Sequence, residues 1–447
     1  MATTRFDPAG PLRGELRPPP DKSISHRAAI LAAMGEGPAT VENYLVAADT
    51  RSTLDAVAAL GAGVKREGDA VRIEGIGLRG PGERAAGDSS REIDVGNAGT
   101  LLRLLPGWLA GQGSAAWRLD GDESIRRRPV DRIADPLRLM GAKVECRDGR
   151  LPPVWVHGGR LNGIEYELPV ASAQVKSCVL LAGLLAEGET TVVEPAPTRD
   201  HTELMLRAAG IPVRVEPAST PIAIRGELPG RRVAVGPAER LELGRVVVPG
   251  DFSSAAFALV AAVIVRGSEV TLSEVGLNPT RVGLLGILNR MGASIEVVEQ
   301  APAGGEPVGA IRARHSPALE GVRVGGGDIS LTIDELPLVA LAACFAEGST
   351  VVSGAAELRH KESDRIATVV EGLRGLGASI EATDDGFAVE GAGDFSGGAI
   401  DAHGDHRLAM LGAVAGLASL KGAEVAGFDA AGVSYPGFEA DLRSLLS

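Results

Sequence analysis

The chain has 447 residues, 45% hydrophobic and 23% charged, a globular mix that excludes disorder and low-complexity structure. A net charge of −13 and few aromatics (8 Phe, 3 Trp, 3 Tyr) exclude duplex-DNA binding, base-stacking platforms and anionic membranes as partners. No uncharged run reaches the ~18–20 residues of a membrane span, and the first residues lack a secretory apolar core. The three cysteines form no CxxC, so neither a disulfide framework nor a thiolate zinc site is read, and a cytoplasmic location is expected.

In chain order, an Ala/Leu-rich helical stretch, a glycine and a short β-prone run recur six times. The turn glycines are Gly37, Gly113, Gly188, Gly267, Gly348 and Gly422, separated by 76, 75, 79, 81 and 74 residues. An amphipathic helix follows each of the first five, ending at Gly61, Gly141, Gly210, Gly292 and Gly377. Each glycine stands between a helical and a strand pattern, where a left-handed C-cap is expected. The spacing predicts six units of about 77 residues, each with two helices and intervening strands.

Breaks are expected at Pro18-Pro19-Pro20 and Val248-Pro249-Gly250. The expected organisation is one domain from residues 1–20 and 246–447 and another from 21–245, three units each, with the N-terminal segment lending a strand to the former. Clefts between domains are where small ligands usually bind.

The first helix of each unit opens on polar residues: DKSISHR (21–27), GNAGTLLR (96–103), ASAQVKS (171–177), GDFSS (250–254), IDELP (333–337) and GDHRLAM (404–410). Helix N-termini carry unpaired N–H groups and partial positive charge, so several such starts facing one cleft would suit small, multiply anionic substrates. Lysine is scarce, six residues against 39 arginines, which makes Lys22 and Lys361 noteworthy. Asp21 or Ser23 is read as a helix cap, as are Asp334 and Asp405. Lys361 and Arg365, four apart with Glu362 adjacent, are read at a helix start, cations bracketing a carboxylate as proton transfer beside an anion requires. Three arginines precede Pro129, which suits a first helical turn. GIGLRG (75–80) matches GxGxxG without an apolar helix after it, and no Walker loop or GxSxG elbow occurs.

Together DKSISHR, GNAGT, RRRPVDRI, ASAQVKS, PTRDH, IDELP, HKESDR and DHRLAM resemble, in order and over nearly the whole chain, the 5-enolpyruvylshikimate-3-phosphate synthase family of enolpyruvyl transferases. The resemblance implies a two-domain inside-out α/β barrel of six βαβαββ repeats, three per domain. It implies transfer of the enolpyruvyl group of phosphoenolpyruvate to the 5-hydroxyl of 3-phosphoshikimate, releasing phosphate, in the shikimate pathway of aromatic amino acid biosynthesis. No metal or organic cofactor is implied, and the expected form is a monomer.

By the same resemblance, Lys22, Ser23, Arg27, Ser172, Ala173, Gln174, Arg199, Asp334 and Lys361 would meet 3-phosphoshikimate. Lys22, Gly99, Arg128, Gln174, Arg365 and Arg407 would meet phosphoenolpyruvate. Asp334 would accept the 5-hydroxyl proton, Glu362 would exchange protons with the methylene carbon, and Lys22 would join them in catalysis. Ala173 loses a hydroxyl that some members carry, Val433 or Ser434 stands where some carry Lys, and Glu357 where some carry Asn. Gly99 implies room for the inhibitor glyphosate. Two alternatives are weighed: the sister enzyme acting on UDP-N-acetylglucosamine, which needs a loop cysteine, and a non-catalytic anion-binding homologue.

Overall fold

The computed structural model describes residues 3–84, 91–218, 229–394 and 396–446. The chain forms two compact units. The middle unit holds Pro20–Val248 with Ala303–Glu306, and the terminal unit holds Met1–Pro19, Pro249–Pro302 and Pro307–Ser447.

One strand order recurs throughout. In the middle unit, Glu36–Glu42 pairs parallel with Arg245–Val247 and antiparallel with Ala70–Ile76, which pairs antiparallel with Gly63–Glu67. Ala116–Asp120 is flanked in the same way by Arg91–Asp94, Leu151–His157 and Lys143–Arg147. Thr190–Glu194 is likewise flanked by Glu165–Glu167, Arg231–Val235 and Val213–Pro217. The terminal unit repeats the order around Glu269–Gly276 and Ser349–Val352. Its third sheet is completed by the N-terminus: Thr3–Phe6 pairs antiparallel with Ala423–Ala426, which pairs parallel with Gly398–Asp401. Arg13–Leu16 supplies the parallel partner of Glu269–Gly276.

The first helix of each repeat lies inside and the sheets lie outside. All thirteen residues of Phe252–Ile264 are buried, as are all eight of Leu336–Ala343. A helix apolar on every side has no solvent face to offer, which places it in the interior. Lys22–Met34, Gly99–Ala110 and Ala173–Gly183 fill the same place in the middle unit. Each Leu or Ile buried there stabilises by roughly 1.5–3 kcal/mol relative to exposure. The second helices are amphipathic: Asp131–Leu139 buries Ile133, Ala134, Pro136 and Leu137 and turns its charged residues outward.

All eleven glycines of the two series have positive φ, between 59° and 107°. They do two different jobs. After each second helix the glycine closes a Schellman turn: Gly61 N–H donates to Ala58 O at 2.9 Å and Ala62 N–H to Val57 O at 3.1 Å. The same pair of bonds recurs at Gly141, Gly210, Gly292 and Gly377. The first-series glycines do not cap helices as expected. Lys22–Met34, for example, ends at Gly35, and Gly37 lies beyond it, in the strand Glu36–Glu42.

Two of these interior helices in the middle unit approach unusually closely. A Cβ on Gly107 would stand 2.2 Å from the carbonyl oxygen of Cys178, so only a hydrogen side chain fits where Gly99–Ala110 crosses Ala173–Gly183. That contact fixes the spacing of the two N-termini described next.

Candidate active site

In the middle unit, the N-terminal turns of three interior helices converge. Asp21, not Ser23, caps Lys22–Met34, accepting from Ile24 N–H at 2.8 Å. Lys22 Nζ lies 3.1 Å from Asp49 Oδ2. Arg27 is 3% exposed, and its guanidinium ties the first helix to the third. It donates to Thr202 Oγ1 at 2.8 Å, to Ser177 Oγ at 3.1 Å and to the carbonyl of Ser23 at 3.1 Å. His26 is buried behind it, 2.6 Å from Thr53 Oγ1, and burial with the neighbouring charges of Lys22 and Arg27 lowers its pKa to about 3.

Gly99 begins the second interior helix with no side-chain cap, and its own N–H donates to the carbonyl of Asn97 at 2.9 Å. A Cβ there would stand 2.7 Å from Arg128 Nη1 and 3.2 Å from Arg103 Nη1. Arg103 donates to Gln174 Oε1 at 3.1 Å, and Gln174 Nε2 donates to Thr100 Oγ1 at 3.1 Å. Gly99, Arg128 and Gln174 therefore share one spot with Arg103. Ser172 caps the third helix, with Ala173 its first residue, and Val175 N–H donates to Ser172 Oγ at 3.4 Å. Arg199 is half-buried on the loop between Thr190–Glu194 and His201–Ala208.

The RRR run divides by role. Arg126 pairs with Asp120 at 2.8 Å and Arg127 with Glu123, both arginines being solvent-exposed. Only Arg128 is buried. Pro129 does not enter the first helical turn as expected; the helix begins at Asp131, with Val130 in the cap position.

The terminal unit gathers Asp334, Lys361, Glu362, Arg365 and Arg407. Asp334 is not a cap, because the helix begins at Leu336 after Glu335. Its carboxylate instead faces three cations: Oδ1 lies 3.3 Å from Lys361 Nζ and 3.3 Å from Arg365 Nη1, and Oδ2 lies 3.8 Å from Arg407 Nη2. Lys361 and Arg365 do not share a helix start as expected. Lys361 follows a short 3-10 turn, Ala356–His360, while Arg365 opens the helix that Asp364 caps.

Arg365 is 1% exposed and held by two more carboxylates, Glu362 at 2.6 Å and Asp405 at 2.8 Å. Burial alone would lower its pKa, but Asp405, Glu362 and Asp334 raise it above the ordinary arginine value. Burial of Asp405 would raise its pKa, but the charge and hydrogen bond of Arg365 together with the charge of His406 lower it. Asp405 also caps His406–Ala418, accepting from Arg407 N–H at 2.9 Å.

Sequence reading missed several members. Glu335 accepts a short hydrogen bond from Ser253 and lies 3.7 Å from Arg407 Nη1. Arg281 bridges Ser253 Oγ at 2.9 Å and Asp251 Oδ1 at 3.0 Å. Arg103 stands four residues after Gly99, on the same helix face, and that spacing was available as a signal. Asp49 and Arg281 lie far along the chain from the motifs they join, so no local pattern marks them.

Burial raises the thiol pKa values of Cys178 and Cys344 to about 12, which makes both poor acids at neutral pH. The sister enzyme's loop acid is not matched by either. Cys146, whose pKa burial also raises, lies on the strand Lys143–Arg147. Among the described residues, no group of three or more His, Cys, Asp or Glu is placed to hold a metal ion. None of the described helices is long and apolar enough to cross a membrane.

Comparison with known proteins agrees with this geometry. The family model described as EPSP synthase (3-phosphoshikimate 1-carboxyvinyltransferase) matches residues 6–442. The chain is 48% identical over 446 residues to a 3-phosphoshikimate 1-carboxyvinyltransferase of Thermus thermophilus, covering 100% of this chain and 99% of that one. It is 45% identical to the Synechococcus sp. WH7803 protein of the same name, covering 99% and 98%. A solved EPSP synthase from Acinetobacter baumannii superposes with a TM-score of 0.83 at 40% identity, covering 100% and 98%. The enolpyruvyl transferase NikO from Streptomyces tendae shares the fold alone, with a TM-score of 0.74 at 18% identity over 99% and 96%. This chain belongs to the EPSP synthase family.

Proposed function

We propose that the chain transfers the enolpyruvyl group of phosphoenolpyruvate to the 5-hydroxyl of shikimate 3-phosphate. The observation that carries this reading is Asp334 among Lys361, Arg365 and Arg407, with Glu362 on Arg365. One cluster thus holds a candidate base, a candidate acid and three cations. In this reading, Gly99, Arg128 and Gln174 with Lys22 take phosphoenolpyruvate together with Arg365 and Arg407. Lys22, Ser23, Arg27, Ser172, Ala173, Gln174 and Arg199 take shikimate 3-phosphate, with Lys361 and Asp334 beside its 5-hydroxyl.

Each substrate carries a phosphate and a carboxylate, and their repulsion must be neutralised before the two can react. Charge-assisted bonds from lysine and arginine do this, and holding the reactants aligned removes much of the entropic barrier. The 5-oxygen bonds to C2 of phosphoenolpyruvate as its proton passes to Asp334, while Glu362 protonates the methylene carbon. The tetrahedral phospho-ketal then returns that proton to Glu362, re-forms the double bond and expels phosphate from C2. Proton transfer of this kind contributes about 10²–10⁴-fold to rate. The three free thiols fit the expected cytoplasmic location.

Glu362→Gln tests the role assignment. The expected outcome is a fall in kcat of about 10²-fold or more with substrate binding retained, measured by phosphate release and by equilibrium titration. Wild-type turnover in that variant would remove Glu362 from the chemistry. Loss of binding together with turnover would make it a structural residue.

A further inference from the structure

A second buried charge cluster lies in the middle unit, and its charged groups are not among those assigned to substrate. Lys176 Nζ lies 2.7 Å from Glu203 Oε1 and 3.0 Å from Glu194 Oε2, with all three side chains at most 1% exposed. One buried ammonium faces two carboxyls, and Glu194 Oε1 and Glu203 Oε2 have no hydrogen-bond partner among the described residues. An unbalanced buried charge is costly to maintain, and replacing such a cluster with apolar side chains is often neutral or stabilising. Stability alone therefore gives it no rationale.

Its connections supply one. Lys176 N–H donates to Ser172 O at 3.0 Å, one turn into the third interior helix, and the next residue, Ser177, accepts from Arg27. Glu194 Oε2 accepts from Thr198 N–H at 3.2 Å and from Thr198 Oγ1 at 2.6 Å, and Lys176 Nζ reaches Thr198 O at 3.4 Å. Thr198 immediately precedes Arg199. Glu203 sits on His201–Ala208 beside Thr202, which accepts from Arg27 Nε. One ammonium, on the helix that Ser172 caps, thus joins that helix to the loop carrying Arg199 and to the helix that orients Arg27.

We propose that Lys176, Glu194 and Glu203 are positioning residues that jointly set Ser172, Arg199 and Arg27 for the phosphate of shikimate 3-phosphate. The inference rests on the reading of those three residues given under Proposed function. Burial, opposed by the charge of Lys176, raises the pKa of Glu194 above the ordinary glutamate value.

The test is steady-state phosphate release by the full-length Lys176→Met and Glu203→Gln variants, with folding checked by circular dichroism. Lys176→Met is expected to raise the KM for shikimate 3-phosphate about tenfold, with the KM for phosphoenolpyruvate changed by less than about threefold. Glu203→Gln, nearly isosteric, shifts the same constant in the same direction by about threefold and decides the matter if Lys176→Met does not fold. Arg27→Ala and Arg199→Ala run alongside. If these raise the KM for shikimate 3-phosphate and folded cluster variants do not, the positioning role is overturned and the site reading stands. If the arginine variants leave that KM unchanged, the site reading fails and the proposal fails with it.

Discussion

At Gly99, a single methyl group decides an outcome. A Cβ there meets Arg128 Nη1 at 2.7 Å, closer than real contacts allow, so the guanidinium must move off the spot it shares with Gln174. Glyphosate is expected to compete with phosphoenolpyruvate in the wild type, and Gly99→Ala to relieve that inhibition by about tenfold or more in a phosphate-release assay. Equal sensitivity of the two proteins would sink the idea. His26 gives a second prediction at this scale. Its folded pKa, about 3, is depressed below the ordinary 6.5, so the unfolded chain binds the extra proton first. Stability is therefore full above about pH 6.5 and falls below it at roughly 1.4 kcal/mol per pH unit. Denaturant titration of His26→Gln at pH 7 and pH 5 is expected to show a shallower loss than the wild type. Parallel losses would exclude this histidine as the cause.

The interior helices deliver site residues through their spacing. Gly107 lets Gly99–Ala110 pass Cys178 O with no room for a methyl, which brings Arg103 within 3.1 Å of Gln174. Gly107→Ala must push the helices apart; overpacking of this kind costs about 1–3 kcal/mol. The expected result is a lower denaturation midpoint together with a higher KM for phosphoenolpyruvate. A stability loss with that KM unchanged would separate the packing from the site.

Much of this scale was legible in the sequence. Gly61, Gly141, Gly210, Gly292 and Gly377 were marked by helix-to-strand changes, and each closes the turn that such a change needs. Gly37 and its counterparts were equally visible but misplaced, because a left-handed turn after a helix looks alike in sequence whether it caps the helix or enters the strand. Lys361 misleads for a similar reason: i,i+4 spacing reads as helical, yet residues 361–363 lie between a 3-10 turn, Ala356–His360, and the helix that Asp364 caps. Glu335, Arg281, Asp49 and the Lys176 cluster depend on contacts between distant segments, which spacing along the chain does not carry.

For the whole molecule, the sequence presented an acidic chain with an unexpected concentration of cations at helix starts. The repeats explain how that arises. Each repeat puts an apolar helix inside its unit, and the polar N-terminal turn is the one part of that helix that need not be buried. Three such turns converge in the middle unit, while the terminal unit brings Asp334 and Asp405 against Arg365 and Arg407. Under the proposed function, Arg128 and Arg407 both bind phosphoenolpyruvate. The most direct test is the KM for phosphoenolpyruvate in Arg128→Ala and in Arg407→Ala, measured by phosphate release with shikimate 3-phosphate saturating. A charge-assisted bond contributes about 1.5–3 kcal/mol, so each variant is expected to raise that KM about tenfold to a hundredfold. A rise in only one of the two, with the other at the wild-type value, would contradict the claim.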